Sequence, residues 1–243
     1  DLNRNYPFRW GSLGEKGSRS AKGSVYYRGP SPASEPEVQA VMELANREQF
    51  VGALTYHTGT VALLAPYTID GVQDPVINEA WEIAEELAGQ ISNYPGGRSL
   101  KVKRNLYPVD GTDQDWHRYT HGTVALLVEG VRLTPATMKE RNRVVRSLRP
   151  LIYNFFDRFL DGPSVSVVVT DTKGRPVKAE VIIVEMAPQE GERWMTRCPD
   201  GRHDRFLSSA QPRGASWTIE VRPEGGEPVT RTFRASDANQ ELR

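Results

Sequence analysis

Cysteine is almost missing from this chain. Cys198 stands alone among 243 residues, so neither an intrachain disulfide framework nor a thiolate metal cage can form. Excess charge of either sign is missing too: 31 Lys and Arg face 31 Asp and Glu. The balance holds on both sides of residue 160, with 19 basic against 18 acidic residues before it and 12 against 13 after it. These counts exclude a basic nucleic-acid arm and an acidic solubilising tail as organising features, and no nucleic-acid partner is expected. No apolar run approaches the roughly 18 residues of a spanning helix, and no secretory signal is visible. Histidine is scarce, with four residues in all.

At 27.2 kDa and 38% hydrophobic residues, the chain can bury a sizeable core in one domain or two. Residues 1 to 35 lack a sustained period and read as an ordered surface loop. Ser34, Glu35, Pro36 and Glu37 form a capping-box helix start, and Val38, Val41, Met42 and Ala45 give the helix an apolar face that should pack on a sheet. A strand is expected from Val51 to Tyr56, ending at His57, with a further apolar element from Val61 to Leu64. Asp74 and Pro75 start a second amphipathic helix, which stops before Pro95, Gly96 and Gly97. Leu100 to Leu106 reads as a strand and Tyr107 to Gln114 as a polar loop. Thr123 to Val128 has the length and β-branched content of a central strand, with Glu129 at its end. A long helical region runs from Thr134 and Pro135 to about Leu160, and Pro150 should kink or divide it. After Asp161, Gly162 and Pro163 the period turns to alternation, with Val165, Val167 and Val169 on one face and Val177, Ala179, Val181 and Ile183 on another.

The fold class is therefore α/β, a mixed sheet with helices packed on it, followed by a small antiparallel β-sandwich. Boundaries are expected at 1–162, 163–235 and 236–243, the last a polar tail.

Several residues can carry chemistry. Asn3 and Arg4 set an amide beside a planar guanidinium, a pair suited to a carboxylate and equally to a surface salt bridge. His57 is placed to ligate a metal, act as a base or cap a strand. Glu129 follows six mostly aliphatic residues and is a better general-base candidate than most acids here, with a buried ion pair as the bland reading. His117 and His121 have the spacing of a helical metal pair but no glutamate between them. Asp113 and Asp115 invite a metal reading, yet Asp115 beside Trp116 is better explained as a loop acid fixing backbone donors.

Taken in order, these segments resemble the M14, or carboxypeptidase A-like, family of zinc carboxypeptidases. Asp1-Leu2-Asn3-Arg4-Asn5-Tyr6-Pro7 resembles the segment that holds the substrate's terminal carboxylate. Gly29-Pro30 and Ser34-Glu35-Pro36-Glu37 resemble its helix entry, and Tyr56-His57 before Val61 to Tyr67 resembles the strand carrying a histidine ligand. Tyr107, Asp115-Trp116, Tyr119, Gly122 and Glu129 follow in family order. Residues 164 to 235 resemble the transthyretin-like sandwich attached to one branch of these enzymes.

The resemblance implies hydrolysis of a C-terminal peptide or related amide bond. A Zn2+ would be held by His57 with an upstream His-x-x-Glu pair, and Glu129 would handle the water proton. Asn3 and Arg4 would hold the carboxylate of a free-ended peptide, Tyr107 would close over it, and Gln114 would help choose the terminal side chain, with Thr68 and Leu127 as further pocket candidates. It also implies a secreted or periplasmic location. No His-x-x-Glu occurs, since Thr60, Thr120, Val124 and Phe206 lie three beyond the four histidines. The expectation is an incomplete catalytic domain whose missing segment lies upstream or is supplied by another chain, and which alone binds zinc weakly and hydrolyses little. The alternative is an inactive binding or accessory protein recognising carboxylate-terminated peptides. A third reading gives Arg4, His57 and Glu129 purely structural roles on unrelated surfaces.

Overall fold

The computed structural model describes every residue except 92, 93, 96–98, 134, 136, 190, 212, 213 and 236–238. Gly96, Gly97 and Thr134, read above as a helix stop and a helix start, lie outside the described residues. The first part is a mixed sheet of β1 (Gly52–His57), β2 (Ala62–Leu64), β3 (Val102–Lys103) and β4 (Val124–Glu129) in the order β1-β4-β2-β3. Every residue of β4 is buried, as its apolar run requires of a central strand. β1 pairs with it in parallel and β2 antiparallel. On one face, α2 (Glu79–Gln90) and α4 (Met138–Leu160) bury Ile83, Leu87, Leu148, Leu151 and Phe155 against Leu63, Leu126 and Val128.

Several expected caps and boundaries change, those of the helices because a different polar group satisfies the helix end. α1 (Pro36–Glu48) has Glu35 at its N-cap rather than a Ser34 capping box. The Ser34 hydroxyl donates to the Glu35 carboxylate, and the Glu35 N–H donates to the Asn5 side chain. This helix packs Val38 and Ala45 on Tyr6 and Trp116 instead of on the sheet, leaving Val41 half exposed. α2 starts five residues after Asp74 because Asn78 supplies the cap, accepting from the Trp81 N–H at 3.1 Å. Only Val102–Lys103 of the expected third strand pairs. α4 starts with a capping box of Thr137 and Glu140 and runs undivided through Pro150. The carbonyl that Pro150 leaves unpaired belongs to Arg146, and both residues are exposed, so water can satisfy it.

The second part comprises β5 (Ser164–Val168), β6 (Ala179–Ile183), β7 (Arg202–Phe206), β8 (Ser216–Pro223), β9 (Val229–Arg234) and β10 (Asn239–Leu242). They form two three-stranded sheets, β10-β5-β7 and β6-β8-β9, over one core containing Val165, Val181, Ile183, Trp217 and Ile219. The arrangement departs from a wholly antiparallel sandwich with a polar tail, because β10 pairs in parallel with β5. Asn239 joins it there through the Ser164 hydroxyl at 3.1 Å.

A buried ionic network links the two parts. Gly122, with φ +70°, ends α3 (Asp113–His121), and a Cβ there would lie 1.7 Å from Arg205 Nη1. Glycine therefore lets Arg205 donate to the Gly122 carbonyl at 2.6 Å and to Glu79 at 2.9 Å. Arg118 also pairs with Glu79, and the Arg205 guanidinium lies 3.8 Å from the centroid of Trp194. Burial lowers the Arg205 pKa to about 10, so it remains charged at neutral pH.

Three histidines lie at or near this seam, His117 and His121 on α3 and His203 on β7. Burial depresses their pKa values from 6.5 to about 4, 4 and 3. The unfolded chain takes up these protons first, so their stabilising contribution is complete above about pH 6.5 and is lost as pH falls towards 4. Asp113 and Asp115 act oppositely, because burial raises the pKa of both carboxyls, that of Asp115 from 3.8 to about 6. Three groups outweigh two. The urea midpoint should fall between pH 7 and about pH 4.5, and His203→Gln should flatten part of that slope. A midpoint that stays constant or rises would contradict this balance.

Candidate functional site

The parallel register of β1 and β4 sets His57 opposite Glu129. Both close their strands, and the Gly130 N–H donates to the His57 carbonyl at 2.9 Å, which fixes the point where the strands part. Glu129 is buried, and its Oε2 has no hydrogen-bond partner among the described residues. A carboxylate oxygen so placed retains full capacity to accept a proton or a hydrogen bond.

The first loop comes to these strand ends by a close backbone crossing. Gly111, with φ +65°, would place a Cβ 2.5 Å from the Arg4 carbonyl, so only glycine allows Tyr6 N–H to donate to the Gly111 carbonyl at 3.0 Å. Asn5 is fully buried and donates to the carbonyls of Arg28 and Ser31 and to the Ser34 hydroxyl. Its amide supplies the order that the composition of residues 1 to 35 does not.

Asn3 and Arg4 lie in a short 3-10 turn, Leu2–Arg4, within the ordered loop expected over residues 1 to 35. Asn3 Oδ1 accepts the Asp113 N–H at 2.7 Å, one of the unsatisfied donors at the start of α3. That bond occupies the amide oxygen and turns the NH2 away from the helix. Arg4 is buried, with its guanidinium 5.8 Å from the ring centroids of both Tyr26 and Tyr107. Its Nη2 donates to the Tyr107 hydroxyl at 3.2 Å, while Nε has no partner among the described residues.

The segment read as a loop up to Gln114 turns helical at Asp113. Asp113 and Asp115 stand in the first turn of α3, where carboxylates complement the helix dipole. Asp115 accepts from the Thr68 N–H at 2.7 Å, the Thr68 hydroxyl at 2.9 Å and the Ile69 N–H at 2.9 Å. The inference that it fixes backbone donors above Trp116 therefore holds, from a helix rather than a loop. Asp113 accepts from the Thr55 hydroxyl at 2.6 Å and interacts electrostatically with His57. Burial raises its pKa against these favourable contacts. The tie of Asp113 to β1 depends on a tertiary placement that local sequence does not display, so its sequence position suggests only a metal-type acid.

Asn3, Arg4, His57, Tyr107, Gln114 and Glu129 all line one cavity of about 40 Å³. Arg4, His57 and Glu129 thus share a cleft and do not face unrelated surfaces. Trp116 lies 4.9 Å from His117 and 5.4 Å from His121, centroid to centroid, so both imidazoles belong to its packing. Among the described residues, no group of three or more His, Cys, Asp or Glu is placed to hold a metal ion. Catalytic zinc ordinarily takes three protein ligands, and the donor set here does not fit it. No helix among the described residues is long and apolar enough to cross a membrane.

Comparison with known proteins adds to this geometry. The family model described as Zinc carboxypeptidase matches residues 1–136. Carboxypeptidase A5 of Homo sapiens is 31% identical over 121 residues, which cover 48% of this chain and 27% of that protein. Carboxypeptidase A2 of Mus musculus is 31% identical over 120 residues, covering 48% and 28%. The chain thus spans little more than a quarter of the length of these curated relatives. The crystal structure of a carboxypeptidase A from Helicoverpa armigera superposes with a TM-score of 0.54 at 20% identity, covering 63% of this chain and 40% of that one. That likeness concerns the fold alone.

Asp115→Asn should destabilise the protein. An amide offers one acceptor oxygen where two now serve, and turns its own N–H groups towards the donors of Thr68 or Ile69. The expected loss is about 2–3 kcal/mol, read from urea denaturation. An unchanged midpoint would show that Asp115 does not hold the Thr68 segment.

Proposed function

The chain belongs to the zinc carboxypeptidase family, and on that premise we propose that its cleft binds the free carboxylate end of a peptide. One observation carries the reading: the Arg4 guanidinium, buried beside two tyrosine rings, belongs to the residue that lines the same small cavity as Asn3, His57 and Glu129. A guanidinium with an uncommitted N–H suits a carboxylate, and the neighbouring Asn3 amide supplies a second donor type. Tyr107 is half exposed and already bonded to Arg4, so it stands where it can cover a bound chain end. Glu129 faces the cavity as an acceptor for the last amide N–H of such a peptide.

Recognition is the function these residues support by themselves. Zinc-dependent hydrolysis is the second reading, and its further ligands would come from outside the described residues. A specific feature favours it: β1 is an edge strand, and beside it lies an apolar cavity of about 350 Å³ lined by Tyr56, Val131, Val144 and Ile152. An unpaired edge next to apolar surface is where additional strands would add to the sheet. We also assign residues 163–235, together with the β10 strand that pairs with β5, to a transthyretin-like accessory module. Its two sheets over one core and the Asp171 turn, which accepts the N–H groups of Lys173 and Arg175, support that assignment.

Calorimetric titration with an N-acetylated peptide, as the free acid and as the C-terminal amide, tests the proposal. The free acid should bind at least about tenfold more tightly, the scale of a hydrogen bond to a charged group. In Arg4→Met that ratio should collapse towards one. Equal affinities for acid and amide in the unaltered chain would remove carboxylate recognition from this cleft.

A further inference from the structure

The part of the cavity wall formed by Thr68 and Gln114 carries a hydrogen-bond relay whose direction is fixed. Asp115 accepts the Thr68 hydroxyl at 2.9 Å, so that hydroxyl has spent its proton. What remains on Thr68 Oγ1 is acceptor capacity, and Gln114 fills it by donating its Nε2–H at 3.1 Å. The reverse orientation of the Gln114 amide would set two acceptors against each other. The relay therefore assigns the amide oxygen, Gln114 Oε1, to the other side. Gln114 is 2% exposed, and this Oε1 has no hydrogen-bond partner among the described residues.

An orphaned buried acceptor is costly unless a ligand supplies a donor. The surrounding wall says which ligand. Leu127 stands two residues before Glu129 on the same face of β4, roughly 7 Å along the strand, and pairs in register with Leu64 of β2. With Leu106 these residues form an aliphatic cluster beside the polar pair of Thr68 and Gln114. Asp115, the charged member of the relay, already accepts three bonds behind Thr68. A neutral acceptor alone would poorly offset the desolvation of an ammonium or guanidinium group. A carboxylate would meet Gln114 Oε1 oxygen to oxygen, and an aliphatic side chain would leave that oxygen unsatisfied. The whole cavity measures about 40 Å³, where a single water needs at least about 10–15 Å³, so its narrowness favours a short side chain over a long one.

We propose that the cleft selects peptides whose terminal residue is small, neutral and a hydrogen-bond donor, namely asparagine, serine or threonine, through Gln114 Oε1. This inference rests on the reading that Arg4 holds the terminal carboxylate, and it names the side chain that then enters the pocket. The Thr68 hydroxyl and Asp115 act as positioning groups, since they set the amide orientation without needing to touch the ligand.

Three N-acetylated peptides differing only in a terminal Asn, Asp or Leu test it, because these side chains have nearly the same shape and differ in donor capacity. Calorimetry on the full chain should give at least about tenfold tighter binding for Asn than for either Asp or Leu, the cost scale of an unsatisfied buried acceptor. Gln114→Leu should reverse the order of Asn and Leu. The ranking in the unaltered chain is decisive even if that variant fails to fold. Leu binding as tightly as Asn, or more so, while free acids still outbind C-terminal amides, would overturn the proposal and leave carboxylate recognition standing. If acids and amides bind alike, carboxylate recognition fails and the side-chain preference fails with it.

Discussion

Six register pairs between parallel strands, from Gly52 opposite Val124 to His57 opposite Glu129, constrain everything else in the cleft. Side chains alternate along a strand, so a slip of one residue would send either His57 or Glu129 to the other face. The burial of every β4 residue opposes such a slip, because it would disturb the packing of Leu126 and Val128 against the helices. On this base the first loop is held by backbone contacts and a helix cap. The Gly111 crossing brings in Arg4, and the Asn3 side chain closes the start of α3, which carries Gln114 and Asp115. Groups far apart in sequence thus reach one cavity through bonds that serve folding first.

The second part of the chain contributes to that geometry from behind. Arg205 of β7 reaches the α3 terminus at Gly122 and the buried carboxylate of Glu79, while Tyr67 donates to Glu192 next to the Thr68 segment. Phe206 stacks on Phe155 of α4 at 5.3 Å, so the apolar core also crosses the expected boundary at residue 162. Both ends of the pocket wall, α3 and the segment after β2, are therefore braced by residues beyond 163. Buried charges of this kind add little net stability when paired, but removing one partner leaves an uncompensated charge. Such a network fits a fixed relation between the two parts better than a loose tether.

Much of this was legible in the sequence, and the reasons differ by element. β4 announced itself because five consecutive apolar residues, Val124 to Val128, after Thr123 leave few alternatives, and α1 begins at Pro36, which marks a first turn strongly. The motif order also brought Asn3, Arg4, His57, Tyr107, Gln114 and Glu129 into view as a group. What the sequence hid were competitions between polar side chains. Asn5 accepts the N–H of Glu35, which becomes the cap in place of Ser34, Asn78 caps α2 four residues after Asp74, and Asn3 allows α3 to start within an expected loop. Asn5 and Asn3 act on segments whose location only the tertiary fold provides, whereas Asn78 is a local cap that competes with Asp74 a few residues away. The parallel pairing of β10 was invisible for a related reason: its few polar residues carry no alternation, and its place depends on β5 being there first.

The most direct test of the account is a crystal structure of the chain with a short N-acetylated peptide ending in asparagine. The terminal carboxylate should lie against Arg4 and Asn3, with the side-chain amide donating to Gln114 Oε1 and the last peptide N–H facing Glu129. A peptide bound elsewhere on the surface, or one entering this cavity with its carboxylate away from Arg4, would contradict this placement.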